Sequence, residues 1–151
     1  MSHIDVSIVN TVEEWLQCQQ LRAVAFLPTE PYDEEFDGKE FEMVIHLLAK
    51  NAGVPVACMR LRLVSIENGG SIHWGRLATL PTSSKDRLSA LNAILDFAEQ
   101  YCKTIGFKKY TAEVADDRLI RYMEKRGFHR SSEPPIWFGK RPFKPIYKEL
   151  D

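Results

Sequence analysis

Side chains able to move protons or hold anions give this chain its chemical possibilities. Glu113 stands in the run 108–114, and Glu30, Asp33, Glu34, Glu35 and Asp37 crowd a single polar stretch. A carboxylate in either place can act as a general base, directly or through one water. The stretch around Asp37 reads equally as a solvated charge run, with Asp37 before Gly38 as a turn residue. His46 and His73 fall on segments whose pattern makes them neighbouring strands. They suit a base or a substrate-orienting pair, and equally hydrogen-bonded structural histidines. Arg60, Arg62 and Arg76 lie on strand-like segments. Each can hold a carboxylate or phosphate through paired N–H donors, or pair with acids such as Glu42 and Glu113.

Composition limits what these residues can serve. The chain has 151 residues, which suits one domain over 1–151 and leaves no room for a second activity. Lys plus Arg is 20 and Asp plus Glu is 21, a net charge of −1. A general nucleic-acid binder needs a strongly basic face, so that class is excluded, while a local basic patch for phosphate is not. No run approaches the ~18 apolar residues of a membrane span. The opening residues lack the basic-then-apolar pattern of a signal peptide. Three widely spaced cysteines, Cys18, Cys58 and Cys102, suit neither a disulfide framework nor a metal cluster and read as small buried residues. The expectation is a soluble, reduced, cytoplasmic domain with no metal.

The elements that must position the chemistry follow from periodicity. Residues 3–9 alternate as a short strand, with Ile4, Val6 and Ile8 on one side. Thr11 is an N-cap with Glu14 at the capping-box position, opening a helix that reaches Pro28. After the acidic stretch, 41–50, 54–66 and 71–80 form an antiparallel meander. On 54–66, Cys58, Arg60 and Arg62 alternate against Ala57, Met59 and Leu61, and Asn68-Gly69-Gly70 makes the next hairpin turn. A helix starting at Ser83 or Ser84 carries Leu88, Leu91, Leu95, Ala98, Cys102 and Ile105 on one face and stops at Gly106. The strand 108–114 follows, then a helix over 118–125 capped by Asp116 or Asp117. The aromatic and proline-bearing tail suits edge strands. The strand–helix–strand unit from Leu80 to Val114 predicts one parallel pair in an otherwise antiparallel sheet. The fold class is α+β (mixed α/β), with a central twisted sheet flanked by helices.

This order, with several local strings, resembles the GNAT superfamily of acyl-CoA N-acyltransferases. His46-Leu47-Leu48-Ala49, Gly53-Val54-Pro55-Val56-Ala57 and Met59-Arg60-Leu61 look like its second and third strands. Trp74-Gly75-Arg76-Leu77-Ala78-Thr79-Leu80-Pro81 looks like its fourth strand, and Tyr122-Met123-Glu124-Lys125-Arg126-Gly127-Phe128 like its closing signature. The resemblance runs from about Ile8 to Leu150. It implies transfer of an acyl group, acetyl from acetyl-CoA first of all, to an amine of a small molecule. Leu77, Ala78, Thr79 and Leu80 would line the acyl-pantetheine arm, and Lys85, Arg87, Leu88, Ser89 and Ala90 would face the phosphates. Glu113, or Asp37 of the acidic stretch, would take the amine proton.

Two positions depart from the family pattern. Leu88 stands where the family's phosphate loop has its first glycine, and a leucine side chain obstructs close approach of backbone to phosphate. Met123 stands where a tyrosine often protonates the leaving thiolate, and a thioether donates no proton; Tyr122 is the neighbouring candidate, about 100° around the helix. Arg22-Ala23-Val24-Ala25-Phe26 is similar to the Arg-x-x-x-Phe of acyl-homoserine-lactone and N-acyl amino acid synthases. Those enzymes commonly lack the glycine loop and can take the acyl chain from acyl carrier protein. That second resemblance would give Arg22, Arg60 and Arg76 substrate-binding roles. A third reading is a non-catalytic member that binds a ligand or protein. The Trp137-Phe138 and Phe143 tail suits an acyl-chain wall, ordinary core or a homodimer contact.

Overall fold

The computed structural model describes residues 4–28, 43–80 and 84–150. The acidic stretch with Asp37 therefore lies outside the described residues, as does Pro81. The elements are β1 (Ile4–Ile8), α1 (Val12–Phe26), β2 (Val44–Asn51), β3 (Val54–Ser65), β4 (Ser71–Thr79), α2 (Ser84–Ile105), β5 (Lys109–Val114), α3 (Asp117–Lys125), β6 (His129–Arg130), β7 (Ile136–Phe138) and β8 (Arg141–Glu149). One sheet runs in the order β1-β2-β3-β4-β5-β8-β6, with β7 paired to β8. Every pairing is antiparallel except β4 with β5. The mixed α+β architecture and the single parallel pair are those expected. His46 and His73 are not on neighbouring strands, because β3 lies between β2 and β4. The two-residue period cannot tell adjacent strands from next-but-one strands.

Local chemistry accounts for the element boundaries. Thr11 Oγ1 accepts the Glu14 N–H at 3.1 Å, and the Glu14 carboxylate accepts the Asn10 N–H at 3.4 Å, so donors at the start of α1 are satisfied by side chains. Asp116 caps α3 by accepting the Arg118 N–H at 2.8 Å. At the end of α2, Gly106 takes φ 105° and the Phe107 N–H reaches back to the Cys102 carbonyl at 3.0 Å.

Helices cover both faces. Leu47, Ala49, Ala57, Met59, Leu61 and Ile72 point to the face that Ile94, Leu95 and Ala98 of α2 and Ile120 and Met123 of α3 cover. The opposite face carries Leu48, Cys58 and Ala78 against Cys18 and Leu21 of α1. All the cysteines are buried and free, as their spacing suggests. Burial first, then the nearby Glu99 carboxylate, pushes the Cys102 thiol up to about 12, so it is unionised and inert at neutral pH.

The turn between β3 and β4 fixes the register on which the site depends. It is a short 3₁₀ turn, Glu67–Gly69, with Asn68 left-handed at φ 53°. Gly70 follows at φ 95°, and a Cβ there would fall 2.9 Å from the Phe107 ring. That close approach lets the Gly70 carbonyl accept the Lys108 and Lys109 N–H groups, both at 3.1 Å. The contact aligns Ser71 with Lys109 and hence His73 with Thr111.

Candidate active site

Past that alignment β4 and β5 separate. They pair only over Ser71–His73 and Lys109–Thr111. The cause lies in β4: Cys58 pairs with Ala78 and Arg60 with Gly75, so Arg76 and Leu77 together oppose Met59. The extra residue is a β-bulge, which bends and twists its strand. Arg76 holds it open with φ 50°, a left-handed conformation costing roughly 1–2 kcal/mol for a side chain with a Cβ. Arg76→Gly and Arg76→Ala both remove the side chain, and only glycine relieves the backbone. Glycine loses about 0.4–1 kcal/mol of that advantage to its freer unfolded chain. Arg76→Gly is therefore expected to melt a few degrees above Arg76→Ala, at roughly 2–4 °C per kcal/mol for a chain of this size. Equal melting temperatures would mean that the strain at the bulge is no larger than the entropy that glycine gives up.

The separation opens a cavity of about 390 Å³. Strand alternation decides which side chains enter it from the α1 face of the sheet: Arg60 and Arg62 from β3, His73 from β4 and Glu113 from β5. Phe26, the last residue of α1, closes one side, and Ile136, Phe138 and Phe143 of the β7–β8 hairpin form an apolar wall. Phe138 and Phe143 meet edge to face at 4.9 Å. Arg76 lies over the Phe138 ring at 5.3 Å and Arg141 over Phe143 at 5.5 Å, so these two guanidiniums are held against the wall by cation–π contact. Trp137, between the wall residues, points outward and is 62% exposed.

At the fork of the strands the polar groups form a chain. His73 Nδ1 lies 2.9 Å from Thr111 Oγ1, and His73 Nε2 is in direct contact with Glu113 Oε2. The carboxylate can only accept, so Nε2–H donates to it, and in the neutral ring the threonine hydroxyl then donates to Nδ1. Both ring nitrogens of His73 are thereby engaged. The second oxygen of Glu113 has no partner among the described residues, and Glu113 lines the cavity. The Trp74 indole N–H is buried and likewise lacks a partner among them.

The structure distributes the sequence candidates unevenly. Glu113, Arg60, Arg76 and Leu77 line the cavity. Ala78 is packed under α1, Thr79 ends β4 beyond the lining, and Leu80 follows it with its N–H on the Val56 carbonyl. Arg22 is buried at 1% exposure, donates to Gln19 Oε1 at 2.9 Å and does not line the cavity. Tyr122 also lies elsewhere, under the Arg126 guanidinium at 5.9 Å, while Met123 is core. Lys85, Arg87 and Leu88 are exposed in the first turns of α2, with Ser89 half-buried and Ala90 buried. Arg62, an anion-binding candidate from the sequence, also lines the cavity, whereas the pairing of His73 with Glu113 and Thr111 behind it were missed. Thr111 and Glu113 two apart on β5 were the visible signal, but the pairing needs the β4–β5 register.

No family model matches the sequence, and no curated protein matches it by sequence. Solved structures do match in shape. FeeM, an N-acyl amino acid synthase from uncultured soil microbes, superimposes with a TM-score of 0.83 at 10% identity, over 99% of this chain and 92% of its own. An acyl-CoA N-acyltransferase from Pseudomonas aeruginosa gives 0.77 at 21% identity, over 98% and 99%. The AHL synthase LasI gives 0.72 at 17% identity, over 100% and 92%.

Proposed function

We propose, from the GNAT acyltransferase fold that this chain carries, that it is an N-acyltransferase moving an acyl group from a CoA thioester to the amine of a small molecule. The observation that carries the reading is the placement of Glu113, backed by His73 and Thr111, at the mouth of the β4–β5 separation. The edge of β4 beyond His73 faces no strand among the described residues, so its backbone groups are available to an amide-bearing pantetheine arm in strand-like fashion.

The reaction follows from these positions. The amine nitrogen attacks the thioester carbonyl carbon while Glu113 accepts its proton, and the positive charge that would build on nitrogen is avoided. A backbone N–H of the bulged strand stabilises the oxyanion. The carbon–sulfur bond breaks, the thiolate takes back a proton through Glu113 or water, and amide and free thiol are the products. Tyr122 has no part in this scheme, because it does not reach the cavity.

A second reading keeps the chemistry and changes the donor to a longer acyl chain on acyl carrier protein. Leu88 favours it: the side chain is 48% exposed in the first turns of α2, where a pyrophosphate would need close backbone approach. The aromatic wall of the cavity also suits a chain longer than acetyl. Incubation with acetyl-CoA, octanoyl-CoA and octanoyl-acyl carrier protein, each with a panel of primary amines, tests both. Thiol release with matching amide mass is expected with at least one donor. Turnover of the carrier-protein thioester alone would select the second reading, and no binding of any thioester by calorimetry would overturn both.

Among the described residues no helix is long and apolar enough to cross a membrane.

A further inference from the structure

The β7–β8 hairpin stands apart from the rest of the sheet. β7 pairs with β8 alone, so its other edge meets no strand among the described residues. Alternation gives the hairpin two unlike faces. Ile136, Phe138 and Phe143 belong to the cavity wall, whereas Trp137, opposite Pro142 in register, faces outward with 62% of its surface exposed. Gly139 follows in the left-handed region at φ 59°, and then Lys140 and Arg141, both exposed. An indole has an apolar body and one polar N–H, so it is best placed where an apolar phase meets a wet one. The charge beside it has a sign. Residues 131–144 hold one acid, Glu133, against Lys140, Arg141 and Lys144. Lys144 is paired with Asp117 at 2.8 Å, which leaves the positive excess at the turn next to Trp137. A second copy docked there about a two-fold axis would set these cations against themselves, so a symmetric dimer through the tip is disfavoured.

We propose that this hairpin tip seats the chain reversibly on an anionic lipid surface, with Trp137 at headgroup level and Lys140 and Arg141 on the phosphates. The contact lies on the bilayer and does not cross it. It joins an apolar signal to a basic one, the combination that surface attachment requires. The inner face of the same hairpin lines the cavity, so seating brings the aromatic wall close to the layer where a long acyl chain partitions. The surface contact does not depend on the acyltransferase reading, because its test needs no turnover.

Vesicles of phosphatidylglycerol and phosphatidylcholine in equal parts, and of phosphatidylcholine alone, provide that test. At low salt the native chain is expected to cosediment about 10-fold more strongly with the anionic vesicles, and added salt should erase the difference. Trp137 is the one exposed tryptophan of the three, so emission should move to shorter wavelength on binding, and Trp137→Phe should abolish that shift. Trp137→Ala and Lys140→Glu should each weaken sedimentation about 10-fold. Ile66→Ala is the control. Ile66 is 82% exposed, but it adjoins the β3–β4 turn at the Lys109 end of β5, whereas the hairpin adjoins the Val114 end. Its truncation should leave binding unchanged. Absence of binding to the anionic vesicles overturns the proposal, and so does equal binding to both kinds. Binding that survives Trp137→Ala, or that Ile66→Ala weakens as much, overturns it as well. Self-association or capture of acyl carrier protein through Trp137 and Lys140, without vesicle binding, would give the tip a protein partner and reject the lipid one.

Discussion

A fall of about 10²–10⁴ in the rate of acyl transfer is the expected result of replacing Glu113 by glutamine. The substitution conserves volume, and the glutamine oxygen can still accept the His73 N–H that now reaches Glu113 Oε2. The contact with Thr111 at 2.9 Å and the β4–β5 register should therefore survive. Only the basic oxygen is lost. An amide does not accept a proton near neutral pH, so the attacking amine must shed its proton to water. Single-turnover release of free thiol reads the chemical step, and calorimetry with the thioester donor should show unchanged binding. His73→Gln should cost less, because His73 orients the carboxylate without taking the amine proton. Full activity in Glu113→Gln would move the base elsewhere, with Asp37 in the acidic stretch as the next candidate.

The parts of this site that were legible are those set by local period. On β3 the alternation places Arg60 and Arg62 on one face and Met59 and Leu61 on the other, and burial confirms it for Met59 and Leu61 at 1% and 0% exposure. The crossover through α2 likewise announced a parallel pair, because a long amphipathic helix between two strands has few other ways to bury its face. Two things were not legible. The bulge sits on Arg76, not on Gly75 beside it, so no glycine marks the positive φ that splits β4 from β5. Tertiary constraint supplies that conformation, and local propensity argues against it. The contact between His73 and Glu113 joins residues far apart in the chain through a register set at Gly70, and no local window contains both ends.

The same geometry reinterprets the near-zero net charge. Charges of opposite sign are sorted into one cavity, with arginines on β3, β4 and the β7–β8 hairpin facing the Glu113 carboxylate. Near-neutral composition is thus compatible with a site that gathers charges of both signs. In the confined, partly apolar cavity these charges are screened less than on the open surface. The departures at Leu88 and Met123 lie on α2 and α3, outside the lining of the cavity that Glu113, His73 and Arg62 share.

The largest expected effect on stability comes from the opposite face of the strand that carries Arg62. Leu61 has 0% exposure, stands between Ile45 of β2 and Trp74 of β4, and belongs to the buried cluster that includes Ile94 and Leu95 of α2. Leu61→Ala removes buried methyl groups and leaves a cavity that the surrounding strands and helix can fill only partly. The expected cost is about 2–5 kcal/mol. At roughly 2–4 °C per kcal/mol for a chain of this size, melting should fall by on the order of 10 °C. Val64→Ala on the same strand is the internal control. Val64 is 53% exposed, and its truncation should change stability by no more than about 0.5 kcal/mol. Urea unfolding followed by circular dichroism measures both, with the midpoint shifting and the slope unchanged if the denatured state is not altered. Because Leu61 points away from the cavity, Leu61→Ala assayed well below its melting temperature should keep the acyl-transfer rate of the native chain. Loss of that rate together with stability would mean that the core under β3 also sets the geometry of the cavity.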